Sequence, residues 1–186
     1  MEFSNVCEKQ NKISALENNH ISIIFIRIFI IGIDTMERLK IDIIEAALIT
    51  ESNIRILSDT MKQMYEENGF KFFLRDAENI LAAECVVLIG THDHTHGMNC
   101  GHCGFATCEE RFEGVPCAIN TVDVGIAIGS ACAVAADHRV DTRVMFSAGL
   151  AAQQLDWLDG CTRVFAIPVS ASSKNPFFDR KPITVE

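Results

Sequence analysis

The chain has 186 residues, of which 48% are hydrophobic and 22% are charged. That profile excludes a disordered chain and allows one domain with a real core, with or without an appendage. The formal net charge of −9, with no dense Lys/Arg cluster, argues against nucleic acid as a partner.

Residues 1–35 are rich in Asn, Glu and Lys, then in Ile and Phe, and Met36 opens a more ordinary pattern. Two readings stand: an N-terminal extension ahead of a single domain at 36–186, or an N-terminal strand or interfacial segment. The apolar stretch 21–33 has thirteen residues with Arg27 in its middle. A membrane-spanning helix needs about 20, and no small-residue cleavage site follows. The expectation is therefore no transmembrane segment, no signal peptide and a reducing cytoplasm.

Residues 37–49 read as a helix, with Ile41, Ile43, Ile44, Ala47 and Leu48 on its apolar face. Asn53 is placed to cap a second helix that runs through Glu67 and ends at Gly69. A short helix is expected over 76–83. The run 85–89, Cys-Val-Val-Leu-Ile, reads as a buried strand. A helix over 123–136 carries Gly125, Gly129 and Ala133 at four-residue spacing, which would let another backbone pack closely on one face. A further helix is expected over 144–158, ending near Gly160. The strand over 163–169 contains Pro168, which predicts an edge position or a strand end. Helices between short hydrophobic strands predict an α/β or α+β layered domain, with a cysteine-rich loop inserted at 98–119.

The eight cysteines are Cys7, Cys85, Cys100, Cys103, Cys108, Cys117, Cys132 and Cys161. Four of them, Cys100, Cys103, Cys108 and Cys117, fall within 18 residues, where uniform scatter would put fewer than one. Their spacing is C-x2-C-x4-C-x8-C. In a reducing compartment, clustered thiols point to metal or redox chemistry more than to disulfides. A 4Fe–4S cluster needs four thiolates from different directions. A tight loop with Gly101 and Gly104 supplies three, and the chain returns through Pro116 to offer Cys117. Zinc also takes four thiolates and is the rival metal, but zinc ribbons usually show two C-x2-C knuckles, and the second pair here has eight residues between its cysteines.

The stretch Cys100-Gly-His-Cys103-Gly-Phe-Ala-Thr-Cys108 resembles the cysteine motif of four-iron ferredoxin domains in electron-transfer and corrinoid-linked proteins. In those domains the fourth cysteine usually lies farther on than Cys117. Residues 40–180 more closely resemble the bacterial and archaeal ferredoxin domain-containing proteins. The matching stretches are Arg75-Asp-Ala-Glu-Asn79, Val86-Val-Leu-Ile-Gly90, Asp123-Val-Gly-Ile-Ala-Ile-Gly-Ser-Ala131, Val140-Asp-Thr-Arg143 and Ile167-Pro-Val-Ser-Ala-Ser-Ser-Lys-Asn-Pro-Phe-Phe-Asp-Arg180. This resemblance implies a cluster and no particular reaction.

Other residue groups have two uses each. His92, His94 and His96 alternate and would share one face of an extended chain, as a metal site or as a solvated loop. His102 either hydrogen-bonds a cluster sulfur or faces water. Glu109, Glu110 and Glu113 surround the third cysteine and would lower a cluster's potential, or simply be solvated. Asp123, Asp141 and Arg143 offer an Asp–Arg pair for a ligand or for structure. Ser170, Ser172, Ser173, Lys174 and Arg180 form a polar tail that suits an anion, or a C-terminal clasp anchored by Phe177 and Phe178.

Three functions follow. The first is a cytoplasmic iron–sulfur protein that passes single electrons to a redox partner protein or a small-molecule acceptor. The second is an oxidoreductase of nitroreductase-like fold whose cluster feeds a flavin near 125–130 and the tail, a fold-level analogy only. The third is a structural zinc protein. The small-residue helix face also allows a homodimer.

Overall fold

The computed structural model of the chain describes residues 44–172 and 174–178. Residues 1–35, and the part of the expected first helix over 37–43, lie outside them. In chain order the elements are β1 (Ile44–Thr50), α1 (Ser52–Asn68), α2 (Phe72–Ile80), β2 (Cys85–His92), α3 (Ala118–Asp137), β3 (Asp141–Thr142), α4 (Phe146–Gln154) and β4 (Cys161–Ser170). The strands form one antiparallel sheet in the order β1-β2-β4-β3. With its helices layered on both faces, the fold is α+β.

β2 explains the layering. Its residues alternate between two cores, as strand geometry requires. Val86 and Leu88 join the side chains of α1, α2 and α4, while Cys85, Val87 and Ile89 join those of α3. Both faces are covered, so the strand reads as a continuous apolar run.

The expected first helix is a strand over its described part. Ile44 to Thr50 pair with Thr91 to Cys85. Ile44, Ala46 and Leu48 lie on the α3 side, and Ala47 and Ile49 on the other. A short apolar run fits either period, and pairing with β2 decides the outcome.

α1 ends as expected: Gly69 takes φ 74 and its N–H bonds the Tyr65 carbonyl at 2.7 Å. Asn53 lies inside this helix, with no side-chain cap before it. α2 starts earlier than expected because Phe73, Ala77 and Ile80 together bury one face. α4 and β4 meet at Gly149, where an added Cβ would run into the Val164 carbonyl and stand 2.7 Å from Phe165 Cα. Only glycine permits that approach.

β4 is an internal strand that runs on to Ser170, although Pro168 suggested an edge or a strand end. Ala166 exchanges both backbone hydrogen bonds with Met145. Pro168, two residues on, therefore turns its nitrogen the same way. There the ladder is broken between the Met145 bridge and the two-residue β3. The missing N–H leaves no partner unpaired.

α3 lays Val124, Ala127, Ala131 and Ala135 on the sheet. It is long and apolar enough, by length and composition, to suit a membrane span, and here that one face is what it buries. Gly125 and Gly129 have open space where a side chain would stand. Among the described residues, nothing packs against the small-residue stripe.

A buried polar cluster ties α2 to α4 and the tail. Asp76 accepts hydrogen bonds from Ser147 Oγ (2.6 Å) and Arg75 Nε (2.8 Å), with Arg143 at 3.5 Å. Arg143 and Asn79 both donate to the Phe177 carbonyl. Phe177 is fully buried, whereas Phe178 is exposed and lies under the Arg143 guanidinium at 5.5 Å. The clasp reading of the tail thus holds for Phe177.

Candidate metal centre

Residues 93–116 run from the end of β2 to the start of α3 without helix or strand. A loop this long, in a fold this tightly packed, is usually functional. It carries Cys100, exposed, and Cys103 and Cys108, partly exposed; Cys117, buried, follows where it meets α3.

Backbone turns shape the first part. Gly101 and Gly104 take φ 71 and 91, and the Gly104 N–H bonds the Gly101 carbonyl at 3.0 Å. These are left-handed angles that a side chain would strain. Asn99 closes the turn around Cys108: its Oδ1 accepts the Cys108 N–H at 2.7 Å, and its own N–H donates to Cys108 Sγ at 3.4 Å. This reciprocal pair fixes the third cysteine against the residue before the first.

Cys117 is the residue just before α3, where helix N–H groups lack internal partners. Burial opposes ionisation of its thiol. Hydrogen bonds from the N–H groups of Asn120, His96 and Ile119, and the nearby Arg111 charge, outweigh that and hold the thiol below its ordinary value. The other cysteines contrast. Burial, with Glu84 adding to it, pushes the Cys85 thiol far up. Burial also raises Cys132, partly offset by a hydrogen bond with Thr142. Those two behave as packing residues.

Asn120, on the first turn of α3, is 1% exposed. Its Oδ1 accepts the Thr91 hydroxyl at 2.9 Å, and its amide donates to the His92 carbonyl at 3.0 Å. One residue therefore joins the strand end to the helix start, and its own N–H reaches Cys117.

A second fastening lies at Asp93, which opens the loop. Its carboxylate takes Arg111 Nη1 at 2.9 Å, and Arg163 Nη2 of β4 stands at 3.6 Å. Burial would raise its pKa, but these cations and the Gly114 N–H hold the carboxyl below the usual carboxylate range. Arg111 Nη1 also donates to the Val115 carbonyl. Its Nε is buried and has no hydrogen-bond partner.

The other expected groups do not assemble into sites. His92 bonds the Gly160 carbonyl, His96 pairs with Asp123 at 2.9 Å, and His94 meets His96 edge-on. His102 Nδ1 lies 3.0 Å from the Cys100 carbonyl oxygen, not on a sulfur. Asp123 and Asp141 do not pair with Arg143: Asp141 binds Asn175, and Arg143 serves Asp76 and Phe177.

Among the described residues, no three His, Cys, Asp or Glu side chains stand where they could hold a single metal ion. The donor chemistry nevertheless suits a sulfur-bound group. One loop carries four thiols, one of them buried just before α3, and the same loop carries Arg111, whose Nε is buried without a hydrogen-bond partner.

An antiparallel α+β sandwich with a four-cysteine loop between strand and helix defines the class. Residues 113–180 match the family described as uncharacterized proteins containing a ferredoxin domain (DUF2148). A relative, an uncharacterized protein of Archaeoglobus fulgidus, is 38% identical over 151 residues, covering 76% of this chain and 81% of its own length. The chain belongs to this ferredoxin-domain family. The family match begins beyond Cys108 and includes Cys117.

Proposed function

We propose that this protein binds a 4Fe–4S cluster through Cys100, Cys103, Cys108 and Cys117, and that it transfers single electrons in the cytoplasm. The observation that carries the reading is the glycine-turned loop that holds three of these cysteines, with Cys108 fixed by the reciprocal Asn99 hydrogen bonds and Cys117 set just before α3, where backbone N–H groups of the kind that stabilise cluster ligands lack helical partners. The ferredoxin-domain family supports it.

When bound, the cluster would supply one-electron oxidation and reduction. The chain's own part is to hold it. Asn99 orients Cys108, the two glycines curl the loop, and α3 offers Cys117. The electron leaves to a redox partner protein or a small-molecule acceptor.

Anaerobic purification, followed by iron, sulfide and zinc analysis and EPR of the reduced protein, tests this. The expected result is four irons and four sulfides per chain, and a reduced-cluster EPR signal that Cys117→Ser abolishes or converts. Stoichiometric zinc in a colourless protein would sink it.

A further inference from the structure

Arg111, inside the cysteine loop, is largely buried and has a donor without a partner. Its side chain is 11% exposed. One nitrogen, Nη1, already serves both Asp93 and the Val115 carbonyl, and Arg163 also approaches Asp93. Holding the loop closed thus uses one end of the guanidinium. Nε, at the other end, is buried without any acceptor. A buried donor left without an acceptor keeps its desolvation cost unrepaid. Closing the loop does not require that cost, since a lysine could make a single contact to Asp93 without it.

We infer that Arg111 sets the reduction potential of the cluster, with its Nε–H and its charge directed at a sulfur acceptor beside Cys117. The inference rests on the cluster reading above. A thiolate or cluster sulfide is the acceptor that the orphaned N–H lacks, and a charge-assisted bond to it is among the stronger kinds. Arg111 Nη1 donates to the Val115 carbonyl, two residues before Cys117, which places its charge close to that ligand.

Magnitudes favour Arg111 over the more numerous glutamates. Reduction adds one electron to the cluster and forms or breaks no bond at Arg111, which stays protonated. A nearby positive charge favours the reduced form. Glu109, Glu110 and Glu113 oppose it, but all three are exposed, where water and salt screen them. Coulomb energy rises as the local dielectric falls, so the buried cation outweighs them. Asp93 acts on the same charge from the other side and offsets part of it.

The test is an EPR-monitored titration with dithionite of the full chain, purified anaerobically, as wild type, R111Q, R111K, D93N and E110Q. Iron and sulfide are measured first. Their absence from wild type would overturn the cluster reading and this inference with it. With the cluster present, R111Q is expected to shift the one-electron equilibrium at least tenfold toward the oxidised form, about 59 mV more negative. R111K should fall between R111Q and wild type, because it keeps the charge and loses the Nε–H. D93N should move the midpoint the opposite way, and E110Q should move it least. A cluster-bearing R111Q at the wild-type midpoint would overturn the inference alone. So would R111K shifting as far as R111Q, which marks mere structural damage. If R111Q takes up no cluster, R111K and D93N decide: shifts of opposite sign support the inference, and no shift or equal sign overturns it.

Discussion

Leu88 lies fully buried in the middle of β2, while Cys100 stands exposed in the loop that leaves the same strand. Around Leu88, shape holds the structure: apolar side chains from three helices fill one face and α3 the other. Around Cys100, few apolar groups are buried, and order comes from turns, Asn99, Asn120 and the Asp93–Arg111 pair. The sheet is therefore held mainly by burial. The loop depends on a few polar contacts that can fail one at a time. A metal cluster fits the second region because it replaces missing core with covalent bonds to the chain.

The largest expected effect breaks the first region. Gly149→Ala would drive a methyl group into the Val164 carbonyl and against Phe165 Cα. Both are backbone atoms of an internal strand and cannot swing aside. Overpacking of this kind costs typically 1–3 kcal/mol and occasionally more, and about 3 is expected here. Urea unfolding followed by far-UV circular dichroism should show the midpoint fall for the whole domain. A change confined to the cysteine loop would contradict the close packing of α4 on β4.

These two regions were unequally legible in the sequence. β2 was readable because a β-branched run covered on both faces has no other use. The end of α1 was readable because Gly69 marks it locally. β1 was not: Ile44, Ala47 and Leu48 fit a helical face, and only pairing with β2, about forty residues on, makes them a strand. Pro168 misled for a similar reason, since the break in the ladder beside it is a tertiary fact. In the loop, cysteine spacing and the glycines announced the candidate ligands. Cys117's surroundings could not be read. His96 reaches it only because Asn120 ties the strand end to α3, and Asp93 meets Arg111 and Arg163 only through folding.

Asn120→Ala sharpens the comparison at the joint. It removes the bond from Thr91 and the bond to the His92 carbonyl in a site that is 1% exposed. Two buried hydrogen bonds of ordinary strength predict a loss of about 2 kcal/mol. The expected pattern is split: hydrogen exchange should speed most in residues 92–97 and the first turn of α3, and least in β4. Uniform acceleration would mean that the strand end and the helix start are not separately fastened.

The smallest expected effect concerns Asp93 and pH. Its folded pKa lies below the ordinary carboxylate value because Arg111, Arg163 and the Gly114 N–H favour the charged form over the cost of burial. A depressed folded pKa means that the carboxylate contributes stability in full above its unfolded pKa, about 3.9. That contribution is lost as pH falls through the lower folded value. Proteolysis of the loop should therefore be slower in wild type than in Asp93→Asn at pH 6, and the gap should close as pH falls below about 4. Comparing the two proteins at each pH cancels the acid sensitivity that any bound cluster brings to both. β2 and β4 should show no matching gap, because the pair closes the loop and carries little of the sheet. A gap that persisted unchanged at low pH would mean that Asp93 holds Arg111 by shape or neutral hydrogen bonding. The loop would then lack the ionic fastening that separates it from the core.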